Sequence, residues 1–290
     1  LATLGVDVEM VHITTQGDVK TGPLGQIGGQ GLFTKEIQRA LLDNRVDLAV
    51  HSLKDLPTND VPGLVIAAVP PRESTADVLV GKYRSLDDLP PGARVGTGSL
   101  RRRSQLLHHR PDLQLLEIRG NVDTRLKKLD SGEYDAIVLA QAGLSRLGLS
   151  DRIAYILPSA IMLPAVGQGA LGLETRMDDE VTRNILRPLN DSVTFAAVTA
   201  ERTLLNSLRA GCLAPVGAWA RSSMEHLLLE AVVLHPNGTA RIGASASMPM
   251  ESASHLGQSV AKDLLNQGAD HLIAASRELG PGSAEQPTHG

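Results

Sequence analysis

Val46-Asp-Leu-Ala-Val-His-Ser-Leu-Lys-Asp-Leu-Pro57 opens as a short apolar strand and closes as a polar turn carrying Ser52, Lys54 and Asp55. Open α/β folds place chemistry at the carboxyl ends of their strands. A carboxylate beside an ammonium at such a position is therefore a candidate reaction centre. On residue type alone a Lys-Asp pair in a turn is more often solvated and inert. The strand in front of it is what favours the functional reading.

Upstream of this stretch, Val6 to Met10 alternates as a strand. A glycine-rich turn from Gly22 to Gly31 leads into helical spacing over Leu32 to Asn44, where Phe33, Ile37, Ala40 and Leu41 recur. A helix followed by a strand is half of a βαβ unit. The same grammar repeats downstream, with strands expected at 76–80, 94–96, 113–118 and 136–139, and helices at 100–108, 122–129 and 142–147. Alternation of this kind predicts an α/β fold with largely parallel sheets. Proline-rich Ala68 to Arg72 and the segment Leu163 to Ala170 bracket residues 75–163 as two linkers, so the chain crosses out to an inserted domain and back. From Ser192 the pattern becomes helix, loop, strands at 227–234 and 241–246, and a further helix at 252–265, an α+β module. The expected domains are 1–70 with 170–190, then 75–163, then 192–280, with a disordered tail at 281–290.

Composition narrows the function classes. The chain has 290 residues, 42% hydrophobic and 21% charged, which describes a globular protein of two or three domains. No apolar run suggests a membrane span and no basic-then-apolar leader opens the chain, so the cytoplasm is the expected compartment. One cysteine, Cys212, excludes an intrachain disulfide and clustered thiolate metal sites. The histidines form no HExxH motif, and no metal site is expected. A net charge of −4 and 2% aromatic residues argue against nucleic-acid binding.

The loop Val95-Gly-Thr-Gly-Ser-Leu-Arg-Arg-Arg-Ser104 presents backbone NH groups and hydroxyls to an anion at a helix start. Arg101, Arg102 and Arg103 then occupy the first turn, where cations oppose the helix dipole, and a compensating ligand is expected. Arg119 and Arg125 flank a second strand-to-helix loop, and Arg146 ends a later helix. Gly167-Gln-Gly-Ala-Leu-Gly172 has neither nucleotide-loop spacing and reads as hinge. Cys212, by base rate a small buried hydrophobe, lies between Gly211 and Pro215 in a loop where its thiol could instead be reactive.

Taken in order, His51 to Pro57, Val95 to Arg102, Leu116 to Arg125, Leu163 to Gly172 and Gly211-Cys212 resemble the porphobilinogen deaminase (hydroxymethylbilane synthase) family along essentially the whole chain. The resemblance implies two α/β domains like the halves of a periplasmic binding protein, joined by a two-strand hinge, plus a small α+β C-terminal domain. It implies a monomeric transferase that joins four molecules of porphobilinogen head to tail with release of ammonia. Cys212 matches the cysteine that carries a dipyrromethane cofactor through a thioether, and Asp55 matches the catalytic carboxylate. Lys54, Ser52, Ser99, Arg101, Arg102, Arg119 and Arg125 match cofactor-binding positions, and Arg146, Gln168 and Phe33 match substrate-binding ones. Gln26 and Gln30 stand where some members carry lysine. Leu1 to Gly5 reads as a helix end, so the family's first strand, its Arg/Ser loop and the following helix are expected upstream. Two other classes stay open: a non-catalytic, hinge-closing anion-binding protein on the same plan, and an inactive truncated relative.

Overall fold

The computed structural model describes residues 1, 4–13, 34–211 and 214–278. Phe33, Cys212, the Gly22 to Gly31 turn and the tail expected at 281–290 lie outside the described residues. Three sheets organise the rest. Helix α1 (Lys35–Leu42) precedes β1 (Ala49–Ser52) and β2 (Leu64–Ala68). It stops two residues before the expected Asn44 because Asn44 takes a left-handed φ of 55°. The NH groups of Asn44 and Arg45 donate to the carbonyls of Leu41 and Ala40 and close the helix end.

Residues 69–76 carry the chain into a second lobe: β3 (Asp77–Gly81), β4 (Arg94–Gly96), α2 (Leu100–His109), β5 (Gln114–Leu116), α3 (Val122–Asp130), β6 (Ala136–Ala140), α4 (Gln141–Arg146) and β7 (Ile153–Ile156). Residues 157–170 return it to β8 (Leu171–Arg176) in the first sheet, followed by α5 (Glu180–Leu186). The second sheet has the order β5-β4-β6-β3-β7. Its central strands are buried on both faces, and alternation along them sorts the core. Val78, Val80, Ile137 and Leu139 face the side holding Leu126 of α3 and Leu144 of α4, while Leu79, Ala136 and Val138 face the side holding Leu106 of α2.

The expectation of largely parallel sheets is corrected. In the first sheet, β8 lies between β1 and β2 and is antiparallel to both. In the second, β4 is parallel to β5 and β6, but β3 is antiparallel to β6 and β7. One cause covers both sheets. A strand delivered by a crossing segment enters from the opposite lobe and runs against the strands made within its own. The strand expected at Val6 to Met10 is also absent. These residues are mostly exposed and pair with no strand among the described residues, and a strand without a ladder partner leaves its backbone to water.

The third sheet is an antiparallel meander of β9 (Val216–Ser223), β10 (His226–Leu234) and β11 (Arg241–Pro249). Helix α6 (Ser192–Ser207) and α7 (Ala253–Asn266) share one core with it, built from Ala200, Leu204, Leu229, Val233, Leu256 and Val260. Helix α8 (Ala269–Glu278) adds Ile273 to that core. Asp191 caps α6, its carboxylate accepting from the Thr194 NH at 2.7 Å. Among the described residues no helix is long and apolar enough to cross a membrane.

Candidate active site

Leu53 fixes the turn that follows β1. Its side chain is 1% exposed and packs with Leu56, Val69, Ala170 and Val198. Its NH donates to the Ala170 carbonyl at 3.1 Å, which ties the turn to the start of β8. Gly172 is required beside it, since a Cβ there would lie 2.5 Å from Leu53 Cδ2. Residues 53–55 form a single 3₁₀ turn. Arg202 of α6 holds the far side by donating to the carbonyls of Leu56 (3.0 Å) and Pro57 (2.8 Å). With Leu53 buried on one side, the turn presents Lys54 and Asp55 on the other.

Those two groups belong to the first lobe, yet their strongest charged neighbours after each other belong to the second. Burial pushes the Asp55 carboxyl above its ordinary value, while Lys54, Arg102 and Arg125 pull it back. Burial likewise lowers the Lys54 ammonium, opposed by Asp55 and Asp77 and reinforced by Arg102 and Arg101. Burial also lowers Arg125, with Arg102 adding to the effect and Asp55 opposing it. Asp55 keeps an open surface of its own. The desolvation comes from the protein walls around the turn, not from contact packing. Asp55, Lys54, Arg101, Arg102 and Arg125 therefore form one electrostatic unit across the two lobes.

Within that unit the arginines of α2 depart from expectation. The sequence pointed to a ligand compensating Arg101 and Arg102, and the anion that does so is Asp77, the first residue of β3. Arg102 donates Nε to Asp77 Oδ1 (3.0 Å) and Nη1 to the Val138 carbonyl (2.9 Å), with Nη2 in ion-pair contact with the same Oδ1 at 2.8 Å. Arg101 donates Nη1 to Asp77 Oδ2 (2.7 Å) and to the Leu163 carbonyl (2.6 Å). Gln168 from the returning segment adds its Nε2 at 3.0 Å. Burial alone would raise the Asp77 carboxyl, but the two guanidinium groups and these hydrogen bonds hold it at about 2. Arg101 and Arg102 are only 4% and 6% exposed, so Arg102 reaches a ligand only by giving up Asp77. Arg103 turns away to the Leu115 carbonyl at 2.7 Å.

The other expected residues are spread around this unit. Ser99 caps α2, its hydroxyl accepting from the Arg102 NH. Ser52 is exposed at the end of β1. Arg125 anchors its Nε on the Gly120 carbonyl at 2.7 Å. Arg119 pairs with Glu117, its Nε donating at 2.7 Å. Arg146 reaches the crossing segments, donating Nη2 to the Gly169 carbonyl at 2.8 Å. Sequence reasoning missed Asp77, whose signal was an acid heading the otherwise apolar run Val78-Leu-Val80. A carboxylate at that place is buried and must be paired. It also missed Arg72 and Glu201, a largely buried pair at 2.7 Å that joins the first crossing segment to α6. Missed too was His51, whose Nε2 lies 2.8 Å from Glu174, itself bonded to Gln38 at 2.9 Å behind β1.

The family described as "Porphobilinogen deaminase, dipyromethane cofactor binding domain" matches residues 1–184, and "Porphobilinogen deaminase, C-terminal domain" matches residues 195–266. Porphobilinogen deaminase of Desulforudis audaxviator is 51% identical over 92% of this chain and 87% of its own length. The protein of the same name from Laribacter hongkongensis is 47% identical over 95% of this chain and 90% of its own. Among solved structures, a periplasmic binding protein of high arginine specificity from Salmonella typhimurium is 16% identical, with a TM-score of 0.33 over 56% of this chain and 72% of that one. Both family descriptions and near-full-length relatives agree, and the chain belongs to the porphobilinogen deaminase family.

Proposed function

We propose that the chain is a hydroxymethylbilane synthase, a transferase that joins four porphobilinogen molecules head to tail with loss of ammonia at each addition. The observation that carries this reading is Asp55, a carboxylate set among Lys54, Arg102 and Arg125 at the junction of two lobes. Ammonia leaving the aminomethyl group of the substrate leaves a cation conjugated with its pyrrole ring. A fixed carboxylate stabilises that charge. Its raised proton affinity also suits it to take the ring proton lost when aromaticity returns.

Each pyrrole unit brings an acetate and a propionate, so a growing chain needs many fixed cations. Lys54, Arg119, Arg125 and Arg146 would hold those carboxylates directly, helped by Ser52, Ser99 and Gln168, and the family resemblance adds Phe33 to the substrate-binding set. Arg101 and Arg102 contribute through their field while Asp77 holds them. The same donor set suits a dipyrromethane, which is also rich in carboxylates, and Cys212 would carry that cofactor through a thioether. When bound, it supplies the pyrrole carbon to which the first substrate unit is joined. The three sheets would be three domains, 1–70 with 170–190, 75–163 and 192–280, with the crossing segments as hinge in a monomeric, cytoplasmic enzyme.

Intact mass and an aldehyde colour reaction test the reading together. We expect a dipyrromethane mass on the active protein that Cys212→Ser abolishes. Asp55→Asn should keep the adduct while turnover falls by roughly 10²- to 10⁴-fold, the usual weight of such a group. An active preparation of unmodified mass would sink the proposal. An unmodified, inactive protein that still binds carboxylates would instead be the hinge-closing anion binder.

A further inference from the structure

Behind β1, three polar side chains occupy a place where apolar ones would pack as well. His51 Nε2 lies 2.8 Å from Glu174 Oε2, and Gln38 Nε2 donates to Glu174 Oε1 at 2.9 Å, with all three residues buried. Buried polar groups add little stability over an apolar layer, and their best-attested use is to fix one register. Here the register at stake is that of β1. The strand is four residues long, and Val50 and Ser52 are exposed, so its inward-facing side chains are Ala49 and His51. Ala49 offers a single methyl group, packed with Leu41 and Leu64. Apolar contact of that size lets a strand slide, whereas a hydrogen bond sets its place along the axis. Glu174 is a firm partner for this purpose, because it lies on β8, the middle strand of the first sheet. On the same face of β8 stand Gly172, against which Leu53 packs, and Arg176, which donates to the carbonyls of Leu41 (3.1 Å) and Val46 (2.7 Å). Alternate residues of β8 thus hold α1, β1 and the turn that bears Lys54 and Asp55.

We propose that His51 is a positioning residue for the candidate reaction centre: bound to Glu174, it fixes the end of β1 so that the following turn sets Asp55 in its place between the lobes. The consequence for turnover rests on the hydroxymethylbilane synthase reading. His51 faces the core, so its effect on Asp55 passes through the backbone of Ser52, Leu53 and Lys54. A displacement of about 1 Å at a reacting group is enough to cost roughly 100-fold in rate. Gln38 extends the same hold to α1, which makes the place of Asp55 depend on three elements of the first lobe at one buried carboxylate.

Two measurements on the purified full chain test this. The first needs no substrate: hydrogen exchange at the Leu53 NH, which donates to the Ala170 carbonyl, should quicken about tenfold or more in His51→Leu. His51→Gln, whose amide nitrogen can take the place of Nε2, should return the rate towards the original. Unchanged exchange in His51→Leu overturns the proposal. The second is turnover, where kcat should fall about 10- to 100-fold in His51→Leu and recover in His51→Gln. The acid limb of kcat/KM should move towards 3.8 in His51→Leu as Asp55 becomes more hydrated. Leu186→Ala, in a separate cluster of the same lobe, should lower the melting temperature and leave that limb where it was. If Leu186→Ala reproduces the whole His51→Leu behaviour, the limb included, His51 is merely structural and the idea is wrong. Quickened exchange in a protein whose unaltered form never consumes porphobilinogen keeps the anchor and sinks the hydroxymethylbilane synthase reading. Should His51→Leu fail to fold, Gln38→Met decides, since it removes only the outer bond. It should produce the same changes at smaller size, and an unmoved Leu53 amide overturns the proposal.

Discussion

Lys54 and Asp55 are neighbours in sequence, and burial moves their titrations towards each other, the ammonium down from 10.5 and the carboxyl up from 3.8. A lysine with a lowered value gives up its proton earlier as pH climbs, and a carboxyl with a raised value takes one up earlier as pH falls. If the carboxylate does the chemistry and the ammonium binds a substituent, the working window is narrowed from both sides. The profile of kcat/KM against pH should show an acid limb centred above 3.8 and an alkaline limb centred below 10.5. Lys54→Met should remove the alkaline limb and raise KM at neutral pH. An alkaline limb that persists in this variant would assign it elsewhere. The sequence made Asp55 and Lys54 legible because both follow a strand directly. Asp77 was not legible as a partner of Arg101 and Arg102, since 24 residues separate it from the first of them and only the folded sheet brings them together.

Among the elements, the crossing segments depend most on single atoms. Gly169 has φ +85°, and a Cβ there would lie 2.5 Å from the Glu73 carbonyl oxygen and 2.8 Å from that of Ser74. Both groups are backbone and cannot step aside. Gly169→Ala should therefore cost more than about 2 kcal/mol in urea unfolding, combining left-handed strain with overlap. Gly143→Ala in α4, where a Cβ meets nothing within 4 Å, should be neutral or stabilising by up to ~1 kcal/mol. An equal loss from both would remove the close approach as the cause. Legibility was uneven at this scale for the same kind of reason. The bounds of β4 and α2 followed from a short strand, the loop Thr97 to Ser99 and the helix expected after it. β8 was read only as chain after a hinge, because Gly172 and the buried Glu174 break the apolar pattern of a central strand. Gly172 is there to admit Leu53 and Glu174 to meet His51, and neither need is written in the local sequence. Strand direction was misread because alternation of helix and strand says nothing about a strand that arrives from another lobe.

At the scale of the whole molecule, Glu201 joins three parts of the chain. Its carboxylate, 0% exposed, accepts from Arg72 in the first crossing segment (2.7 and 3.0 Å), from the Gly167 NH in the second (2.7 Å) and from the Ala220 NH of β9 (2.8 Å). Any bending between the first two lobes is thus referred to the third, at β9. Glu201→Ala leaves the Arg72 charge without its partner and should cost about 3–5 kcal/mol. A loss below about 1 kcal/mol, the range of exposed pairs, would mean that water replaces the carboxylate without penalty. The place of β8 carries another kind of consequence, one that concerns time. It is the middle strand of the first sheet, yet its sequence follows the entire second lobe, and β1 and β2 touch it rather than each other. As the chain leaves the ribosome, the second lobe emerges as an unbroken stretch able to complete its own sheet, while β1 and β2 of the earlier-made first lobe must wait for the strand that joins them among the described residues, synthesised about a hundred residues later. The half of the molecule that bears Asp55 is begun before the second lobe and finished after it, so the reaction centre is among the last features of the fold to exist.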